Sequence, residues 1–182
     1  KHQKWWGWGY DGIPDFHYEN KPGFAPFVLA NIGLDLATAK VVRPPALSEL
    51  NVPATKASEG DVAALAAIVG DANALTDDEA RIVHWAGRSV RDLIRTRAGN
   101  FSRVTDVVVY PGSEDEVQRV LALASERDFV VIPFGGGTSI SGSLQAEDHE
   151  TRVVVTVDLG RMNRLLDVDT HSGLARVQAG IL

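Results

Sequence analysis

Val107-Val108-Val109-Tyr110-Pro111-Gly112-Ser113, followed downstream by Phe129-Val130-Val131-Ile132-Pro133-Phe134-Gly135-Gly136-Gly137, frames the stretch that decides the fold. The first β-branched run has the composition of a strand and is stopped by Pro111 and Gly112. Ser113 and Glu116 then stand at capping-box spacing, so a helix should start at 113. Within it Val117, Val120, Leu121 and Ala124 fall at i, i+3, i+4 and i+7 and make one apolar stripe, while Glu114, Asp115, Arg119, Glu126 and Arg127 take the wet side. Phe129 to Ile132 form a second short strand. Strand, amphipathic helix and strand over about 30 residues constitute a βαβ unit, whose strands should be parallel with a right-handed crossover.

Working outward, Arg152 to Asp158 alternates around Val153, Val155 and Val157, and Leu165–Asp169 and Leu174–Gln178 follow after short polar breaks. Such close spacing leaves no room for helices, so these three segments are expected to be antiparallel strands. The fold class is therefore α+β, a small parallel βαβ unit beside an antiparallel sheet. Toward the N-terminus, Asp61 to Gly70 reads as a short Ala-rich helix with acid at its start and Gly at its end. Thr76 with Glu79 has capping-box spacing for a second helical stretch, in which Val90, Leu93 and Ile94 share a face. His84 within it reads as a structural histidine rather than a base or ligand. Pro44, Pro45, Pro53 and Ser58 mark residues 44–58 as a connector. Residues 1–27 mix Trp5, Trp6, Trp8, Tyr10, Phe16, Tyr18, Phe24 and Phe27 with Gly7, Gly9, Gly12, Pro14, Pro22, Gly23 and Pro26, which breaks both the helical and the strand period. They read as an extended aromatic arm packed on the body of the protein. The expected division is an arm and helical region over 1–100 and a second unit over 101–182.

Composition narrows the chemistry. The 182 residues carry 18 Lys and Arg against 24 Asp and Glu, a formal charge of −6, so nucleic acid is an unfavourable partner. At 45% hydrophobic and 23% charged the chain is of ordinary globular composition. It has no Cys, which removes disulfides, thiolate nucleophiles and iron–sulfur clusters. The longest nearly apolar run, Val62 to Gly70, is far short of the roughly 20 residues that span a bilayer. No secretory leader is visible at Lys1, and no initiating Met is present. Difficult chemistry then falls to a bound organic cofactor or to oxygen and nitrogen side chains.

The segment Pro133-Phe134-Gly135-Gly136-Gly137-Thr138-Ser139-Ile140-Ser141-Gly142-Ser143 leaves the second strand directly. Its three consecutive glycines have no Cβ to hold a ligand away, so successive N–H groups can converge on an anion. Thr138, Ser139, Ser141 and Ser143 add hydroxyl donors. A P-loop would need a Lys before Ser or Thr, and this segment has none. A dinucleotide fingerprint needs G-x-G-x-x-G opening a helix, a spacing that Gly135, Gly137 and Gly142 miss. The remaining alternatives are a glycine-rich hairpin and a diphosphate cradle of another kind.

Taken in order, Val107-Val108-Val109-Tyr110-Pro111, Glu116-Val117, Val131 to Ser139, Asp158, Met162-Asn163-Arg164 and Val177-Gln178-Ala179-Gly180 resemble the FAD-binding domain of the vanillyl-alcohol oxidase/p-cresol methylhydroxylase superfamily. Within it, Lys4-Trp5-Trp6-Gly7-Trp8-Gly9-Tyr10, the expected helix from His84 to Arg97, and Met162 to Leu166 are most similar to the alkyldihydroxyacetonephosphate synthase family. The resemblance implies that Pro133, Phe134, Gly135, Gly136, Gly137, Thr138, Ser139, Ile140 and Ser141 wrap the diphosphate of FAD. It implies non-covalent FAD from this loop, since Thr138 stands where some members carry a flavin-linking His. Gln178, Ala179 and Gly180 would end a strand near the cofactor.

The family's domain continues beyond the position of Leu182 and its catalytic groups lie in a later cap domain, so no catalytic residue and no metal site is expected here. The implied reaction exchanges the acyl group of acyl-dihydroxyacetone phosphate for a fatty alcohol in ether-lipid synthesis. An FAD-linked oxidase or dehydrogenase of a 2-hydroxy acid shares the same loop, and a non-catalytic nucleotide-binding module is the third reading. The resemblance implies a small-molecule or lipid substrate and a cytoplasmic setting, and it admits peripheral membrane contact and a homodimer.

Overall fold

A computed structural model of the chain describes residues 3–12, 20–40 and 43–181. Its centre is a four-stranded mixed sheet in the order β1-β2-β4-β3, where β1 is Ala74–Leu75, β2 Val107–Val109, β3 Val130–Phe134 and β4 Val154–Asp158. β2 and β3 are each parallel to β4, and β1 is antiparallel to β2. A separate antiparallel hairpin joins β5 (Leu165–Asp169) to β6 (Leu174–Val177). The α+β class and the two parallel strands agree with the sequence reading.

The place of β4 does not. The expectation of an antiparallel strand fails because Val154–Asp158 inserts between β2 and β3 and runs parallel to both. Its residues Val154, Val155, Thr156 and Val157 are all buried, as a parallel strand covered on both faces requires. The apparent alternation of Val153, Val155 and Val157 was therefore misleading. β3, left at the sheet edge, tolerates Pro133 because its N–H is not needed there.

The connecting helix α5 is Glu114–Glu126, and Ser113 accepts from Glu116 N as its cap. The Glu116 carboxylate takes the Gly112 N–H at 2.7 Å. Val120 and Ala124 face the sheet, whereas Leu121 is exposed, so the stripe is narrower than its spacing suggested. Helix α2, Glu59–Val69, lies against α5 and begins earlier than Asp61, because Ser58 caps it and Asp61 completes the capping box. Gly70, with φ 89°, ends it. Arg127 of the α5 C-cap reaches Asp61 at 2.7 Å and ties the two helices together. The main core draws Leu65, Ala66, Val69 and Ala74 together with Val107, Val109, Val120, Val155 and Val157.

The second helical stretch is broken. α3 (Asp78–Val83) is capped by Asp77 rather than Thr76 and ends at His84, and α4 (Val90–Arg97) starts anew from Ser89. There is no continuous helix from His84 to Arg97, and of the expected apolar face only Leu93 is buried, Val90 and Ile94 being exposed. The turn between them packs tightly, since a Cβ at Gly87 would lie 1.9 Å from Ser139 O.

The arm packs as expected where it is described. Trp5 joins Ile82, Val83, Trp85, Ala86 and Val104 in a second apolar cluster. Trp8 stays largely exposed but donates its Nε1–H to Arg88 O at 3.0 Å. Pro14, Phe16 and Tyr18 lie outside the described residues. Phe24 and Phe27, read as part of the irregular arm, instead belong to helix α1 (Phe24–Ile32), which Gly33 terminates in the left-handed region at φ 69°. Pro26 fits in its first turn, where no intrahelical N–H is required.

A buried carboxylate sets the register of the sheet. Asp106 is fully buried and accepts from Lys56 N and Val154 N, both at 2.8 Å, while Arg103 grips both of its oxygens. Its own N–H donates to Val154 O at 2.8 Å, so one side chain aligns β2, β4 and the 44–58 connector. Every buried side-chain polar atom among the described residues has a partner.

Candidate functional site

Because β2, β4 and β3 are parallel, their C-terminal ends emerge along one sheet edge, the place where ligands bind in open parallel sheets. Tyr110 follows β2, Asp158 to Gly160 end β4, and Gly135 and Gly136 follow β3; together they form one wall of a cavity of about 780 Å³. That volume lies within the usual small-molecule range of roughly 300–1,000 Å³. Gln3 and Tyr10 of the arm and Asp77, Ala80, Val83 and His84 around α3 complete much of its lining. Ala179, Gly180 and Ile181 close one end. Gly180 is required there, since a Cβ would sit 1.8 Å from Leu159 O.

The loop divides into parts. Phe134 is buried beneath it, and Gly135 and Gly136 line the cavity. A Cβ on Gly135 would meet nothing within 4 Å, whereas one on Gly137, which has φ 69°, would strike Phe134 Cζ at 2.7 Å. Pro133, Thr138, Ile140 and Ser141 are exposed. Ser139 Oγ pairs with Ser143 Oγ at 2.9 Å. The amides of Gly135, Gly136 and Gly137 donate to no other group among the described residues. Unspent donors on a turn without side-chain bulk, at the exit of a parallel strand, fit a diphosphate.

His84 and Asp158 form the floor. His84 lies in the cavity wall although it is only 3% exposed. Its Nδ1 is 2.7 Å from Ala80 O, an atom that only accepts, so this nitrogen carries a proton. Its Nε2 is 2.8 Å from Asp158 Oδ2. Asp158 Oδ1 accepts the Gly160 N–H at 2.6 Å and shapes the turn after β4. The imidazole ring stands 4.3 Å from the Phe134 ring and edge-on to Tyr110. Burial, with Asp158 and Asp77 nearby, pushes the Tyr110 phenol well above its ordinary range, so it stays protonated and able to donate. Arg161 donates to Tyr110 O at 2.6 Å and brackets the rim.

Of the residues that the sequence reading set near the cofactor, Gly135, Gly136, Ala179 and Gly180 line the cavity, whereas the rest of its lining was missed. His84 does line the cavity. The only trace of this was its position between a short capped helix and a glycine turn. Gln3 carried no motif at all.

Residues 105–182 match the family described as FAD binding domain. The chain is 40% identical over 107 residues to the alkyldihydroxyacetonephosphate synthase of Trypanosoma brucei brucei, covering 58% of this chain and 18% of that protein. It is 31% identical over 198 residues to the Caenorhabditis elegans synthase, covering 98% of this chain and 32% of the relative. A solved structure of alkyldihydroxyacetonephosphate synthase superposes with a TM-score of 0.82 at 30% identity, over 99% of this chain and 36% of that one. Substrate-bound p-cresol methylhydroxylase shares the fold, with a TM-score of 0.53 at 18% identity, over 72% of this chain and 24% of that one. A probable mitochondrial D-2-hydroxyglutarate dehydrogenase of Oryza sativa subsp. indica is 27% identical over 148 residues, covering 79% of this chain and 22% of that protein. The chain spans about a fifth to a third of the length of the synthases it matches. It is an FAD-binding chain, similar along almost its whole length to alkyldihydroxyacetonephosphate synthases and sharing its fold with p-cresol methylhydroxylase.

Proposed function

We propose that this chain is the FAD-holding part of an enzyme that replaces the acyl group of an acyl-dihydroxyacetone phosphate with a fatty alcohol. The observation that carries the reading is the extent of the similarity to the synthases. It runs through the aromatic arm and both broken helices as well as the FAD domain, over 99% of the chain. In this reading the residues Pro133 to Ser141 surround the diphosphate, with the free amides of Gly135, Gly136 and Gly137 as donors. Bound FAD would supply an electron sink that lets the acyl carboxylate leave and the alcohol enter without net redox change. The chain's own residues bind and orient. Tyr110 offers a protonated phenol, Asp77 and Glu79 offer acceptors to ligand hydroxyls across the cavity, and the His84–Asp158 pair holds the floor rigid.

The test uses full-length protein supplied with acyl-dihydroxyacetone phosphate and a long-chain alcohol in the absence of an electron acceptor. Formation of the alkyl product together with released fatty acid is expected. Bleaching of the flavin by a 2-hydroxy acid, with no alkyl product, would instead establish the dehydrogenase reading that the rice relative favours. Changing Gly136 to Val should yield protein lacking flavin colour; retained colour would remove the loop from the site.

A further inference from the structure

The C=O and the following N–H of a trans peptide lie in one rigid plane and point in opposite directions, so holding a carbonyl also fixes the direction of the next amide. Three carbonyls of the glycine loop are held in this way. Phe134 O accepts from Leu159 N at 3.0 Å, Gly136 O from Gln3 Nε2 at 3.1 Å, and Ser139 O from Arg88 N at 3.0 Å. The amides that share those planes belong to Gly135, Gly137 and Ile140, and none of them donates to another group among the described residues. The first anchor is part of the sheet. The other two come from residues 3 and 88, outside the matched span 105–182.

Gln3 is itself oriented. Arg88 Nη2 lies 3.0 Å from Gln3 Oε1. A guanidinium only donates, so it selects the oxygen of the Gln3 amide and leaves Nε2 to face the Gly136 carbonyl. The bridge between Gln3 and Tyr10 closes the arm on itself, and the bond from Trp8 Nε1 to Arg88 O ties it to the body. Glycine at 87 lets the Arg88 turn approach Ser139 O. Arg88 has no carboxylate partner among the described residues, and burial lowers the pKa of its guanidinium.

We propose that Gln3 and Arg88 are positioning residues for FAD: the aromatic arm and the turn at Arg88 latch the glycine loop from behind and preset the direction of its amides. This rests on the reading that the loop holds that diphosphate.

The experiment strips FAD from the full-length protein and titrates it back, following flavin fluorescence, with the melting temperature of the FAD-free form recorded in parallel. Gln3→Glu is the informative variant. The new carboxylate still accepts from Arg88 but cannot donate to the Gly136 carbonyl, so FAD affinity should fall at least tenfold while the FAD-free melting temperature holds. Arg88→Ala should lose at least as much affinity, and Arg88→Lys should recover part of it. Gly137→Val serves as the control for the cradle, since its φ of 69° and the nearby Phe134 ring leave no room for a side chain. If Gln3→Glu binds FAD within twofold of the parent while Gly137→Val abolishes binding, the latch is wrong and the cradle stands. If Gly137→Val binds normally, the cradle reading fails and the latch with it. If Gln3→Glu lowers melting temperature and affinity together, Gln3 is a folding residue and the proposal is overturned.

Discussion

β4 and β5 are consecutive strands of five residues each, both rich in aliphatic side chains, yet one is buried along its first four residues and the other exposed along its whole length. The difference lies in what interrupts the apolar run. Val154-Val155-Thr156-Val157 contains one short hydroxyl, which finds a partner in Thr105 Oγ1 at 2.9 Å, so the strand can be covered on both faces. β5 carries Asp167 and Asp169, whose carboxylates demand water or a partner, and it pairs only with β6. Sequence neighbours of similar hydrophobicity thus reach opposite environments because one tolerates two-sided desolvation and the other does not.

The comparison can be broken most violently at the junction that seats β4. Asp106→Ala strands the buried Arg103 guanidinium and frees the Val154 N–H. It should cost roughly 3–5 kcal/mol in denaturant unfolding. A loss below about 1 kcal/mol would mean that the strand is seated by packing alone. Val155→Ala empties a fully enclosed site and should cost about 2–3 kcal/mol by the same measurement. Ser113→Ala removes the cap of the helix that bridges β2 and β3, for roughly 1 kcal/mol. On the hairpin, Val168→Ala should stay within about 0.5 kcal/mol. A cost approaching that of Val155 would show that the hairpin's faces are packed in the working protein. The smallest effect concerns pH. Hydrogen bonds and charge from Arg152 draw the Glu150 carboxyl down from 4.5 to about 2. Its folded value lies below its unfolded one, so the contribution is complete above pH 4.5 and lost as pH falls toward 2. A difference in melting temperature between parent and Glu150→Gln that persists at pH 2 would rule the pairing out as its source.

Local features were legible because they are written in adjacent residues. Ser113 and Glu116 announced α5, Pro111 and Gly112 announced the end of β2, and the three glycines from Gly135 announced the end of β3. Strand order was not legible, because a valine run states that both faces are dry without saying which strands supply the hydrogen bonds. The composition of 154–157 did contain the hint that alternation was the wrong template, since Val154 and Val155 are adjacent. α1 escaped because Pro26 and flanking glycines look like punctuation until their positions at the start and end of a helix are known. Gln3 and Arg88 were invisible for a different reason: their roles depend on a backbone carbonyl more than a hundred residues away from Gln3, and backbone groups leave no mark in sequence.

Finally, the central position of β4 has a consequence for synthesis. Adjacent strands are spaced by about 4.8 Å, so β2 and β3 stand two spacings apart and share no ladder of their own. A nascent chain that has emerged only through Ser143 holds both strands that flank β4 and nothing to join them. The glycine turn is already made at that stage, but the anchor on Phe134 O and the partner of His84 both arrive with residues 154–159. The cofactor's seat therefore cannot precede the last parallel strand, and a ribosome paused before that strand presents an open slot that any extended peptide could enter.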